Sequence, residues 1–173
     1  MTESQRTDHP RTQEADQPET SAGQPGMPAN RAETLSEKIF ALQKDRILER
    51  FADKDVARDI VTLAGMTEIY CADHHDESQR VPFRSHATEA GVYPVRKTVR
   101  LCPDCAEHLR YGEIRRALCT RSPRPSCKTC KNHCYAEDEA AWQRTAMAYS
   151  GPRAMFRGHA LEAIRHLIQT RLS

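Results

Sequence analysis

Apolar residues recur at helical spacing along the first half of the chain, from about residue 33. A first predicted helix has an apolar surface formed by Leu35, Ile39, Leu42, Ile47, Leu48 and Phe51. Asp53 or Asp55 then caps a second helix, since a carboxylate accepts bonds from the first backbone N–H groups. Its inward positions are Val56, Ile60 and Leu63, with Ile69 and Tyr70 near its end. This helix delivers Cys71, His74 and His75.

The pattern after residue 75 is less regular. Residues 76–94 contain two prolines and a glycine and are expected to form a loop. A short strand with Val95, Val99 and Leu101 facing inward leads to Cys102. A helix then begins at Asp104 and ends near Cys119, and another covers 135–148, with Glu137, Asp138 and Glu139 at its N-terminus, where the dipole favours them.

The segment Ser150-Gly151-Pro152 predicts a stop and a new start, because proline suits a first helical turn. Arg153 and the free N–H groups of the following helix could bind an anion there, although a helix corner with a capping serine fits better. The last helix is expected to bury Leu161, Ile164, Leu167 and Ile168. The predicted fold is therefore mainly α.

Residues 1–32 contain almost no large apolar side chains. Such a segment cannot bury enough surface to offset the entropy lost on ordering. We therefore expect a disordered tail over 1–32 and a cysteine-rich helical domain over 33–173. The domain has few aromatic residues, so its core is small, and cross-linking by a metal would help it fold.

Seven cysteines are the main chemical signal, and six of them fall between residues 102 and 134. A C-x2-C turn brings two sulfurs onto one ion, and about four such ligands bind zinc or an iron–sulfur cluster. A redox C-x2-C pair would need a βαβ context, which the pattern lacks. The candidate metal ligands are Cys71, His75, Cys102, Cys105, Cys119, Cys127, Cys130 and Cys134.

The spacing leaves the grouping of these ligands open. Cys102, Cys105, Cys127 and Cys130 form a C-x2-C…C-x2-C set, which leaves Cys71, Cys119, Cys134 and a histidine (His74, His75 or His133) for a second site. Alternatively, Cys127, Cys130 and Cys134 are three ligands of one 4Fe–4S cluster. Cys71 and Cys119 are unpaired in sequence, as buried apolar cysteines often are.

The net charge of +2 hides an asymmetry. Residues 96–131 carry ten Lys and Arg against three Asp and Glu. This basic set could bind nucleic acid or another polyanion, or it could offset the charge of anionic thiolates. The set is Arg96, Lys97, Arg100, Arg110, Arg115, Arg116, Arg121, Arg124, Lys128 and Lys131.

The chain has no apolar run of membrane-spanning length, and its first residues have no apolar signal region. We therefore expect a cytoplasmic protein that makes no contact with a membrane. Reducing conditions there and an odd number of cysteines argue against a disulfide framework.

The chain resembles the nitrous oxide-stimulated promoter family, the YgbA-like bacterial proteins, over about 54–171. The resemblance rests on Ile69-Tyr70-Cys71 with His74-His75, Leu101-Cys102 with Cys105, Cys119, Pro125-x-Cys127-x2-Cys130-x2-His133-Cys134-Tyr135, Tyr149-Ser-Gly-Pro-Arg153, His159 and Ala163–Leu167. Two positions depart from the family pattern: Ala160 replaces a proline, and Arg124 replaces a lysine. The Cys–His pattern is intact.

The resemblance implies a role in the response to nitrogen-oxide or nitric oxide stress. Nitric oxide attacks both zinc thiolates and iron–sulfur clusters, so this association fits either metal. The first hypothesis is a non-catalytic zinc-binding protein. The alternatives are an iron–sulfur protein that senses nitric oxide or transfers electrons, and a metal-folded regulator that binds nucleic acid.

Overall fold

The computed structural model describes residues 34–95, 98–121, 125, 127, 130–132, 134–157, 164 and 168. The predicted tail over 1–32 lies outside these residues. The described elements are α1 (Leu35–Phe51), α2 (Lys54–His74), a 3-10 turn (Glu77–Gln79), β1 (Val81–Pro82), α3 (His86–Glu89), β2 (Arg100–Leu101), α4 (Pro103–Ala117) and α5 (Glu137–Ala154). The mainly α prediction is confirmed.

Helices α1 and α2 follow directly from caps and periodicity. The side chain of Thr34 caps α1, and the carboxylate of Asp53 accepts bonds from two N–H groups in the first turn of α2. The predicted apolar surface of α1 is only partly buried. Leu35, Leu42 and Leu48 are exposed, whereas Phe40, Ile47 and Phe51 are buried. The helix has a kink at Gln43, whose backbone leaves helical geometry, so one regular apolar stripe does not describe both halves.

The stretch 76–94 was predicted as a loop, and this is wrong in detail. It holds the 3-10 turn, β1 and the short helix α3, which starts with a capping box between Ser85 and Thr88. Strand β1 pairs antiparallel with β2, with Val81 opposite Leu101. Val95 does not face inward as expected but is fully exposed. This hairpin, formed by β1 and β2 with α3 in the segment between them, connects the end of α2 to the start of α4.

Helix α5 crosses Ser150-Gly151-Pro152 without a break, so the predicted stop there is wrong. Ser150 is fully buried and donates its hydroxyl proton to the carbonyl of Met66 in α2 at 2.7 Å. This contact and the buried Ala154 hold the last turn against α2 and override the local signal. Beyond α5, Ile164 and Ile168 are exposed rather than buried, and the predicted core residues Leu161 and Leu167 lie outside the described residues.

The core lies between α2 and its neighbours α1, α4 and α5. Gly112 allows a close approach of α4 to α2, because a Cβ there would lie 2.7 Å from Cδ2 of Leu63. One buried cluster joins α1, α2, α3 and α4, and it includes Phe40 and Ile47. A second lies where the end of α2 meets the start of α4. No helix in the described part of the chain is long and apolar enough to cross a membrane.

Candidate metal centre

Three cysteines and one histidine meet where α2 ends and α4 begins. The ligand atoms of Cys71, His75, Cys102 and Cys105 all lie within 4.8 Å of one another. The three cysteines are buried in the core cluster at this end of the fold, and His75 is half-buried. The fold therefore brings together four side chains from two segments about thirty residues apart.

The local backbone explains how each segment presents its ligands. Cys71 lies in the last turn of α2, and His75 is the residue that ends this helix in an extended conformation. Strand β2 leads directly to Cys102, which is the N-cap of α4 and accepts the N–H of Cys105. Cys105 lies in the first turn, where the positive end of the helix dipole favours anionic thiolates.

The imidazole of His75 contacts two sulfurs with the same nitrogen. Its Nδ1 lies 3.3 Å from Sγ of Cys102 and 3.4 Å from Sγ of Cys105. In either tautomer, Nδ1 carries one lone pair or one hydrogen, so it can make only one well-directed hydrogen bond to these two sulfurs. In a tetrahedral zinc site, bonds of about 2.3 Å to sulfur and about 2.0 Å to nitrogen place these two ligand atoms roughly 3.5 Å apart. The observed separations match the edge of such a tetrahedron.

The thiols are buried deeply enough to resist ionisation in the absence of a cation. Burial raises the pKa of the Cys71 thiol, although the N–H of Cys102 lies 3.3 Å from its sulfur and opposes the rise. Burial also raises the pKa of Cys105, and the neighbouring charges of Cys71 and Cys102 add to this effect. A bound divalent ion reverses this preference, because a coordinating thiol is deprotonated. The donor set therefore fits a thiophilic metal ion.

The structure distinguishes the two adjacent histidines. His75 faces the thiols, whereas the ring of His74 stacks on Tyr70 at 4.1 Å and its Nδ1 lies 2.9 Å from the carbonyl oxygen of Tyr70. His74 also meets the edge of the Tyr149 ring at 4.4 Å. Of the predicted candidates, His75 is therefore placed to bind a metal, and His133 lies outside the described residues.

The structure groups the cysteines differently from the C-x2-C…C-x2-C set that the spacing allowed. Cys102 and Cys105 meet Cys71 and His75 rather than Cys127 and Cys130. Cys71, which resembled an apolar core cysteine, is buried but lies beside the other two sulfurs. The difference arises because α2 packs against α4, a contact that sequence spacing does not encode.

The remaining four cysteines follow α4 in the sequence. Cys119 follows that helix, and its N–H donates to the carbonyl of Arg116 at 3.3 Å. Cys127 and Cys134 are exposed, and the Sγ of Cys130 lies 3.7 Å from the carbonyl oxygen of Asn132. In the part of the chain that the structure describes, the α2–α4 cluster alone has three or more ligand atoms within 4.8 Å of one another.

Several members of the basic set are engaged within the fold. Arg116 is buried and pairs with Asp59 at 2.6 Å, and Arg110 donates to the carbonyl of Arg84 and lies over the ring of Phe83. Other members lie outside the described residues, namely Arg96, Lys97, Arg124 and Lys128. The described part of the set therefore contributes to packing as well as to surface charge.

Arg153 is also engaged within its own helix. Its guanidinium lies 3.6 Å from the centre of the Tyr149 ring and donates to the Tyr149 carbonyl at 2.8 Å. Because α5 does not restart at Pro152, the free N–H groups that would have completed an anion site are absent at this position. The acidic run Glu137–Glu139 does lie in the first turn of α5, as predicted.

The family match covers the whole of this region. A family model described as nitrous oxide-stimulated promoter matches residues 54–173. The chain belongs to this family. No curated protein and no solved structure shows significant similarity to the chain.

The nitrous oxide-stimulated promoter family model includes all seven cysteines and the elements α2 to α5. Helix α1 lies before the matched region, although it packs against α4 through the core that contains Phe40 and Ile47.

One buried polar pair was missed from the sequence. Glu113, in the middle of α4, accepts a hydrogen bond from the hydroxyl of Tyr93 and is 2% exposed. Burial raises its pKa to about 7. The sequence does contain a sign that Glu113 is special. It lies on the same helical face as Leu109, four residues earlier, and a charged residue on a buried face is unusual.

Proposed function

We propose that this protein is a zinc-binding, non-catalytic member of the nitrous oxide-stimulated promoter family that acts in the response to nitrosative stress. In this proposal, Cys71, His75, Cys102 and Cys105 bind one zinc ion. The observation that carries the proposal is the contact of one imidazole nitrogen with two sulfurs at 3.3 and 3.4 Å. One shared ion accounts for both contacts equally, whereas one lone pair or one N–H provides a single well-directed hydrogen bond.

A structural rather than catalytic role is supported by the completeness of the ligand set. Catalytic zinc sites have three protein ligands and keep one position open for water or substrate, whereas structural sites have four. Here four protein ligands are close together, and the sulfurs of Cys71 and Cys105 belong to residues with no exposed surface. Zinc at this site would connect the end of α2 to the start of α4.

A mononuclear site is also favoured over a 4Fe–4S cluster. Each cysteine of a four-iron cluster binds a different iron atom, which requires more space between the sulfurs than a single shared ion does. The four ligand atoms lie within 4.8 Å of one another, which suits one ion. The contacts of Arg110 and Arg116 within the fold give no support to nucleic-acid binding, so that alternative is not part of the proposal.

The adjacent histidines provide a matched pair of variants for the test. We expect His75→Gln, purified without oxygen, to contain one equivalent of zinc less than the wild-type protein, and His74→Gln to retain the wild-type content. Zinc, iron and sulfide per chain would be measured together with the visible spectrum. Equal zinc in both variants would refute the site, and brown protein with matched iron and sulfide would replace zinc by a cluster.

The stress response itself is tested by the reactivity of the thiolates. Nitrosating agents convert a zinc-bound thiolate to an S-nitrosothiol, which binds zinc poorly, so the wild-type protein should release zinc into a chelating dye. His74→Gln should release zinc in the same way. Retention of all zinc under conditions that nitrosate a free thiol would contradict a role for this site in the response.

A further inference from the structure

Four cysteines remain after the α2–α4 cluster is assigned, and all come from the end of α4 and the segment that follows it. They are Cys119, Cys127, Cys130 and Cys134. Cys127 and Cys130 form a C-x2-C pair, and three residues separate Cys130 from Cys134. A C-x2-C turn is the usual way for a short segment to place two sulfurs on one ion.

Both ends of this segment are attached to the second half of α4. At one end, Cys119 continues from the helix through its bond to the Arg116 carbonyl. At the other end, the N–H of Ala136 donates to the hydroxyl of Tyr111 at 2.9 Å, and the Tyr135 ring meets the Tyr111 ring edge to face at 5.4 Å. Tyr111 is 1% exposed, so this attachment is fixed by the core.

The two attachments place both ends of the segment on the second half of α4. Cys119 is the residue at which the chain leaves the helix, and Cys134 directly precedes the attachment at Tyr135 and Ala136. Cys127 and Cys130 lie between them in one C-x2-C pair. All four thiols therefore belong to one segment of sixteen residues that begins and ends on the same helix.

We propose that Cys119, Cys127, Cys130 and Cys134 bind a second zinc ion at the C-terminal end of α4. Binding replaces the four thiol protons by one Zn²⁺ and releases those protons to solvent, which leaves a site with a net charge of −2. In the described part of the chain, no three of these four sulfurs lie within 4.8 Å of one another, so the bound ion would draw the ligand atoms together.

The electrostatic surroundings make this second site weaker than the first. Thiolates at the C-terminal end of a helix meet the negative end of its dipole, whereas Cys102 and Cys105 lie at the positive end. The second site therefore holds zinc less tightly.

The test is the zinc content of reduced protein reconstituted without oxygen, measured by elemental analysis and native mass spectrometry. The wild-type protein should hold two zinc ions per chain. The double variant Cys127→Ser and Cys130→Ser should hold one and keep the wild-type helical circular dichroism, because Cys127 is exposed and Cys130 lies outside the buried core. Cys105→Ser should also hold one, through loss of the first site.

These variants separate the second site from the proposed function. If the double variant holds as much zinc as the wild-type protein, the second site is wrong. If Cys105→Ser alone retains the wild-type content, the first site is wrong and the second stands.

Alkylation mapped by mass spectrometry provides a measurement on the unmodified sequence. Zinc should slow alkylation of all four cysteines of the second site in wild-type protein and in Cys105→Ser. The same alkylation rates with and without zinc would overturn the proposal.

Discussion

Glu113 should make the stability of this protein depend on pH near neutrality. Its carboxyl lies inside the fold, bonded to the Tyr93 hydroxyl and to Ser85, next to a small cavity that Arg110 and His86 also line. Burial disfavours the charged form and raises its pKa from 4.5 to about 7, although the two hydrogen bonds and Arg110 oppose the rise.

The direction of the pH dependence follows from how many protons the folded and the unfolded states bind. Between pH 4.5 and about 7 the folded protein keeps the Glu113 proton and the unfolded chain releases it. Stability from this group is therefore fully present below pH 4.5 and is lost as the pH rises through 7. A shift of this size corresponds to about 3 kcal/mol at 1.36 kcal/mol per pKa unit, most of it lost between pH 5 and 8.

The assay is urea unfolding of zinc-loaded wild-type protein and Glu113→Gln from pH 5 to pH 8. Glutamine does not ionise and can still accept from Tyr93. The difference in unfolding free energy between the two proteins should shift by roughly 2 to 3 kcal/mol against the wild type over that range. Effects of pH on the metal sites occur in both proteins and cancel in the difference.

A flat difference across this range would refute the reasoning. Tyr93→Phe provides a directional check, because it removes a hydrogen bond that lowers the pKa of Glu113. In that variant the pH-dependent loss of stability should move to higher pH. A move to lower pH would show that the Tyr93 hydroxyl does not stabilise the ionised carboxylate.

Two further predictions concern the buried ion pair and the metals. Asp59→Ala leaves the guanidinium of Arg116, 6% exposed, without its carboxylate and should cost about 3 kcal/mol in urea unfolding. Asp55→Ala breaks an exposed ion pair in the same helix and should cost less than about 1 kcal/mol, so similar losses in the two variants would contradict the first estimate. Titration with a zinc chelator should empty the Cys119–Cys134 site before the Cys71–Cys105 site. Native mass spectrometry of Cys105→Ser and of the double variant Cys127→Ser and Cys130→Ser measures the two sites separately. The reverse order would contradict the argument from the helix dipole.

The helices were largely predictable because their signals are local. Asp53 caps α2 as expected, and Val56, Ile60 and Leu63 are buried. The wrong predictions concern positions where contacts between residues far apart in the sequence determine the structure. Proline at 152 predicted a break, but the bond from Ser150 to Met66 keeps α5 against α2.

The sequence predicts which residues can bind a metal, but it does not predict which of them share one site. Spacing identifies Cys102 and Cys105 as a pair, since both lie in one turn. It does not reveal the partners of that pair, because these depend on how α2 crosses α4 and on the hairpin between them. His75 required the end of its helix to be known, since its extended backbone turns the ring towards the sulfurs, while the ring of His74 lies on Tyr70.

The placement of the first site also determines what loss of metal would do. Cys71, Cys102 and Cys105 belong to the core cluster where α2 meets the start of α4, so without a metal three thiols and one imidazole remain there with incomplete bonding. The cluster that contains Phe40 and Ile47 joins α1, α2, α3 and α4 without any of these ligands. Loss of a metal ion bound there would therefore act on one end of the α2–α4 pair while the other end stays packed. Local opening of this kind would let a chemical change at three sulfurs expose one part of the protein without unfolding all of it.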